Sequence, residues 1–215
     1  MNRRLMLKHL AAAAALSAAG PAAIAQRRSP EPFQVLPNRI PPETAGKIEV
    51  IEFFHYGCPH CRDFYPLIKH WLKSLPEDVG FRGVPAIWGN EQLRGLARLY
   101  YAAERTGTLD KLEEGIFVAV QDDKRPIHTE AGVRDWLGRF DVDAKAFMDT
   151  YNSFALQAMV QRADQIARAY RVQGVPTMAV GGRYMTSASM TGSHENTLKV
   201  VDELIVRVRA EEGRS

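Results

Sequence analysis

The hydrophobic positions change period twice in the first half of the chain. Residues 47–57, KIEVIEFFHYG, are apolar and β-branched almost throughout. A run with both faces apolar predicts a buried, central strand. After it the spacing turns helical: Phe64, Leu67, Ile68, Trp71, Leu72 and Leu75 follow i, i+3, i+4, i+7 intervals, and LPEDVG ends the helix. Pro59 falls at the first turn, where a helix tolerates proline. Pro66 lies inside the pattern and should kink it. VGFRGVPAIW at 79–88 reads as a second strand. Strand, helix and strand in this order imply a parallel pair with a right-handed crossover.

From Asn90 to Val172 only helical patterns occur. EQLRGLARLYYAAERTG ends at Gly107, TLDKLEEGIFVAVQ stops at DDKRP, and TEAGVRDWLGRF starts at a Thr129 cap. DAKAFMDTYN is short, and SFALQAMVQRADQIARAYRVQG is long and ends at Gly174. A block of this size, residues 90–172, is too large for a connection and fits an inserted helical subdomain. VPTMAV and RYMT then flank Gly181-Gly182, a hairpin signal. A final amphipathic helix starts near Ser193. The expected plan is one α/β domain from residues 47–89 and 173–215, interrupted by the helices. Trp88, Trp136 and the pair Tyr100-Tyr101 sit at core-like spacing and read as packing.

The N-terminus fixes the compartment. Residues 1–25 carry Arg3, Arg4 and Lys8 with no acid, then a small apolar stretch ending in Ala23-Ile24-Ala25. That is a secretory signal with cleavage near Ala25-Gln26. The apolar run is short and broken by Gly20 and Pro21, unlike a spanning helix. RRLMLK also hints at a twin-arginine address. Residues 26–46 hold five prolines and no periodicity, and read as an extended lead-in. The chain has 28 Lys+Arg against 25 Asp+Glu, and the three leader bases account for the difference. The exported protein is therefore balanced, with no basic stripe for nucleic acid.

The only two cysteines, Cys58 and Cys61, sit in FFHYGCPHCRDFYP at the junction of the first strand and the helix. At i and i+3 their sulfurs share one face of the first turn. Cys58 meets the unpaired amides and the positive end of the helix dipole, which favours a thiolate. His60 between them would favour it further, and Pro59 removes one amide and fixes the turn. Cys61 should face the core. A structural disulfide here closes a very small loop, worth about 2 kcal/mol. A metal site wants four ligands, and one CxxC with scattered histidines does not supply them. A redox-active dithiol is the third reading, and CxxC beside a strand–helix junction is its signature. Glu52, in VIEFF, is the odd residue of an apolar strand. From the pattern alone it reads as a solvent-facing position on a half-exposed strand.

EFFHYGCPHC, followed far downstream by GVPTMAVGGRYM, resembles the DsbA family of periplasmic thiol:disulfide oxidoreductases. The resemblance covers nearly the whole exported chain, and CPHC is that family's dipeptide pattern. It implies a thioredoxin fold with an inserted all-helical subdomain, with Cys58 attacking and Cys61 resolving through a Cys58–Cys61 disulfide. Val175-Pro176 would face the sulfurs with a cis peptide and present backbone to an extended substrate. Glu52 would be a buried acid behind the site, its pKa raised by burial, that helps move the proton of Cys61, with Pro59 and His60 tuning the site. The turn Gly181-Gly182-Arg183 departs from the Asn-Gly-Lys frequent in the family, without disturbing the hairpin. The implied protein is a monomeric periplasmic dithiol oxidase with no bound cofactor. It would act on unfolded exported polypeptides with free cysteines, and a DsbB-type quinone-linked membrane partner would reoxidise it. The alternatives are a reductase or isomerase running the other way, and a peptide-binding chaperone with an incidental CPHC.

Overall fold

A computed structural model describes residues 31–213. The signal expected at 1–25 and the first residues of the lead-in lie outside them. The described residues form one five-stranded sheet and eight helices. In chain order these are β1 Gln34–Val35, β2 Ile48–Phe54, α1 Pro59–Trp71, β3 Val79–Pro85, α2 Glu91–Arg105, α3 Leu109–Gln121, α4 Glu130–Leu137, α5 Ala144–Tyr151, α6 Phe154–Ala169, β4 Thr177–Val180, β5 Tyr184–Thr186, α7 Ala188–Thr191 and α8 His194–Glu211. The sheet order is β1-β5-β4-β2-β3. β2 runs parallel to β3 in the register Glu52↔Gly83 and antiparallel to β4 in the register Glu52↔Met178. It is paired on both sides, as its continuous apolar run requires.

The pleat of β2 divides two cores. Ile48 and Val50 pack with Phe64, Ile68 and Trp71 of α1 and with Leu204 and Ile205 of α8. Ile51 and Phe53 point the other way, into the larger core shared with the helices after β3. α2 packs on α5 and α6 there. Four of the helices carry caps that their sequences advertise. Asn90 Oδ1 accepts from Gln92 N, Thr129 Oγ1 from Gly132 N, Ser153 Oγ from Leu156 N and Ser193 Oγ from Asn196 N. α1 runs through Pro66 without a break in its assigned span.

Two features differ from the sequence pattern. The proline-rich stretch before β2 contains β1, an edge strand antiparallel to β5. Ile40 N then donates to Gly182 O at 2.8 Å, and a Cβ on Gly182 would sit 1.8 Å from Ile40 O. With φ at 67°, Gly182 is needed for both backbone angle and space. Trp88 is not a packing residue, unlike Trp136, Tyr100 and Tyr101, which are buried. It ends the β3 run with φ 46°, leaves 43% of its surface exposed, and is held by Nε1 donating to Val172 O at 3.0 Å. The tryptophan follows the strand at a turn, so its spacing no longer reports a strand face.

Candidate active site

The sheet hands the chain to α1 through Tyr56-Gly57. Cys58 is the N-cap of α1, in extended backbone, and Pro59 is its first helical residue. No acid lies in the first turn of α1 to compete for its free amides. Cys58 N donates to His55 O at 3.0 Å and Arg62 N closes the turn on Cys58 O at 3.2 Å. The insert braces this corner: Gln121 Nε2, at the end of α3, donates to Tyr56 O at 2.8 Å and to Cys58 O at 3.0 Å. Nothing in the sequence marks Gln121, because its partners are backbone carbonyls 65 and 63 residues away.

Both cysteines are free thiols here, 8% exposed at Cys58 and 1% at Cys61. Cys58 Sγ reaches Val175 O at 3.5 Å. Val175–Pro176 is a cis peptide, just before β4, and Thr177 Oγ1 ties the loop to Gly174 O at 2.8 Å. The elements thus bring Cys58, Cys61, Val175 and Pro176 to one place. Pro59 and His60 are exposed beside them.

The two thiols are driven apart. A hydrogen bond from the Cys61 thiol is the largest influence on Cys58, and burial opposes it. The amides of Cys61 and His60 and, last, the His60 charge add to the thiol's effect, holding Cys58 at about 6 against an ordinary 9.0. The role of His60 is therefore more that of its amide than of its ring. Burial pushes Cys61 far up, and the Cys58 and Glu52 charges reinforce it. The outer sulfur is the stable anion and the inner one is not.

Glu52 fits neither sequence reading fully. It is half-buried, but what it exposes faces a cavity of about 230 Å³ shared with Tyr65, Lys69, Tyr100 and Glu113. Burial, then the Glu113 charge, then Cys58 raise its carboxyl well above the ordinary range. The more deeply buried acid of β2 is Glu49, 2% exposed on the opposite face. It accepts from Thr44 N at 3.0 Å and pairs with Arg82 at 3.0 Å. His55, given no role from sequence, turns its ring edge to Trp88 and is held below the ordinary imidazole range by burial. Among the described residues no group of three or more His, Cys, Asp or Glu could hold a metal ion.

Comparison with known proteins decides the lineage. Residues 68–198 match the DSBA-like thioredoxin domain. The chain belongs to the DsbA family. It is 37% identical to the thiol:disulfide interchange protein DsbA of Azotobacter vinelandii over 97% of this chain and 99% of that one. The Pseudomonas aeruginosa DsbA crystal structure superposes with a TM-score of 0.81 at 36% identity, covering 86% of this chain and 95% of that one. The oxidoreductase NmDsbA1 from N. meningitidis gives 0.77 at 31% identity, over 85% and 94%. This DsbA-family protein is accordingly a thiol:disulfide oxidoreductase with a thioredoxin fold. Among its described residues no helix is long and apolar enough to cross a membrane.

Proposed function

We propose that this protein is a periplasmic dithiol oxidase that gives its Cys58–Cys61 disulfide to newly exported polypeptides. The observation that carries the reading is the opposed titration of the two sulfurs: Cys58 is held at about 6 while burial keeps Cys61 a thiol. A substrate thiolate attacks Cys58 Sγ. The Cys58–Cys61 bond breaks, and its electron pair leaves on Cys61. Cys61 is a poor resting anion, so it takes a proton, and Glu52, whose carboxyl stays protonated to unusually high pH, is the donor. A second substrate thiolate then attacks the substrate sulfur of the mixed disulfide. Cys58 departs as the stabilised thiolate, the substrate has lost two electrons, and the enzyme dithiol has gained them.

The surrounding residues have matching parts. Pro59 and the amides of His60 and Cys61 shape the thiolate site, with the His60 ring adding a smaller charge contribution. The Val175 carbonyl and the cis Pro176 offer backbone to an extended chain, which selects for unfolded polypeptides over particular side chains. Reoxidation falls to a DsbB-type membrane quinone reductase acting on the same cysteines. Export follows from the basic and apolar leader, with cleavage near Ala25-Gln26, and the monomer suffices because both thiols come from one chain.

The test is the equilibrium reduction potential against glutathione, with thiols trapped by alkylation. An oxidase should lie less negative than about −200 mV, above the usual glutathione poise. A value near that of a thioredoxin, about −270 mV, would make the protein a reductase instead. Cys58→Ser should abolish insulin reduction and peptide oxidation together, whereas a peptide-binding chaperone would keep its activity.

A further inference from the structure

The cavity beside Glu52 is walled by β2, β3, α1 and the first two helices of the insert. Its charges do not balance. Glu52 faces it from β2, Glu104 from α2, and Asp110 and Glu113 from α3. The facing bases are Lys69 of α1 and Arg82 of β3. Lys69 Nζ is taken by Asp110 at 2.5 Å, and Arg82 by Glu49 at 3.0 Å and Glu43 at 3.1 Å. Among the described residues no base lies at ion-pair distance from Glu52, Glu104 or Glu113.

The remaining polar groups are tyrosines. Tyr65 and Tyr100 line the space. Tyr100 Oη occupies the room that Gly83, opposite Glu52 in the ladder, leaves open: a Cβ there would stand 2.6 Å from it. The Tyr56 hydroxyl is buried, makes no hydrogen bond to a protein group, and feels the charge of Glu113 more than any other. Glu52 and Glu113, facing one sheltered space without cations of their own, resist being ionised together, because like charges repel strongly where water is scarce. The cavity therefore stores protons near neutrality. Burial raises Glu113 to about 7 despite Lys69, so it titrates in the working range. Glu104 is on the exposed side and joins the cavity to solvent.

We propose that Glu113, reaching the cavity from the helical insert, is a positioning residue for the exchange reaction that keeps Glu52 loaded with the proton Cys61 needs. This rests on the reading of Glu52 as the proton donor to Cys61. When the disulfide opens, the Glu52 O–H proton passes to Cys61 Sγ and Glu52 becomes a carboxylate. The Glu113 carboxylate facing it makes that second negative charge unfavourable, so Glu52 recovers a proton from the cavity. No electrons move at either carboxyl. The insert then does more than cover the thioredoxin core, because it sets the proton balance behind the inner thiol.

The experiment pairs a direct titration with kinetics. Carboxyl ¹³C NMR follows Glu52 and Glu113 in the dithiol protein, and alkylation-quenched mixing follows disulfide reduction by a dithiol peptide across pH 5–9. In the unsubstituted protein the two carboxyls should titrate as a coupled pair in two steps, a measurement that needs no variant to fold. Glu113→Gln should move the Glu52 titration and the alkaline limb of the rate profile to lower pH together. Each unit of that shift lowers the rate on the limb about tenfold. Glu113→Asp should restore both, and Glu113→Gln should change nothing further in a Glu52→Gln background. Independent single-step titrations, or a folded Glu113→Gln protein with an unmoved limb while Glu52→Gln is slowed, would overturn this inference alone. A Glu52→Gln protein with an unaltered profile would overturn the Glu52 role and this inference with it.

Discussion

The stability difference between the dithiol and disulfide forms should swing with pH, and the structure sets where. Closing the four-residue loop from Cys58 to Cys61 constrains the unfolded chain and favours the disulfide form by about 2 kcal/mol. The Cys58 thiolate favours the dithiol form. Its folded pKa, about 6, is depressed from 9.0, so its contribution is complete above 9.0 and disappears as pH falls through about 6. At pH 7 that shift corresponds to about 1.4 kcal/mol before allowance for solvent screening at the mouth of the site. The thiolate would have to titrate below about 5.5 to outweigh the loop at pH 7 by itself. The two effects instead cross near about pH 7.5, and screening moves the crossing further toward alkali.

Raised acids affect the two forms differently. Burial of Glu52 weakens both folds alike above the ordinary carboxylate range, so it drops out of the difference. Cys61, pushed far up by burial, weakens the dithiol fold once unfolded thiols ionise above 9.0. The assay is paired calorimetric melting of both forms from pH 4 to 10. The disulfide form should melt higher in acid. The disulfide form's advantage should fall by about 3–5 °C per pH unit between 6 and 9 for a domain of this size, change sign at the crossing, and turn back above 9.0 as Cys61 weakens the dithiol fold. A difference that stays constant from pH 6 to 9 would mean that Cys58 is not a stabilised thiolate in the fold, and the proposed leaving-group chemistry would go with it.

Three further outcomes are expected. Cys61→Ser should accumulate mixed disulfides through Cys58 with exported polypeptides, whereas Cys58→Ser should not; equal adducts on a gel without reductant would reverse the assignment. Gln121→Leu leaves the carbonyl of Tyr56 without its donor and that of Cys58 with Arg62 N alone, so denaturant melts should show a loss of about 1–3 kcal/mol, with exchange slowed because the cap of α1 is no longer braced. Glu49→Ala leaves Arg82 beside only the partly exposed Glu43 and the Thr44 amide unpaired, and should cost about 3–5 kcal/mol, whereas exposed Lys145→Ala should leave the melt unchanged.

The parts of this protein legible in the sequence are those fixed by short-range rules. Periodicity placed β2, α1 and the helices of the insert, because burying one face imposes its period on the residues that form it. The caps at Asn90, Thr129, Ser153 and Ser193 act within three residues, so they too can be read locally. The spacing of Cys58 and Cys61 across a helix start already contained the asymmetry of the thiols, since the amides that favour one sulfur belong to the same turn. The family resemblance in CPHC and Val175-Pro176 supplied the rest of the early reading of the site.

Tertiary structure decided what depends on neighbours far along the chain. Glu49 and Glu52 look alike in IEVIEFF, yet an odd separation sends them to opposite faces. There one meets Arg82 and Thr44, and the other a cavity short of cations. Trp88 fell in an apolar run but sits at a turn with its ring partly exposed. Gln121 and Glu113 carry no motif, because their importance lies in carbonyls and carboxyls that the insert reaches only after folding back on α1. A sequence records which groups a segment offers. The pKa of a carboxyl or a thiol depends on which charges and how little water surround it, and those are set only when distant segments close the space around it.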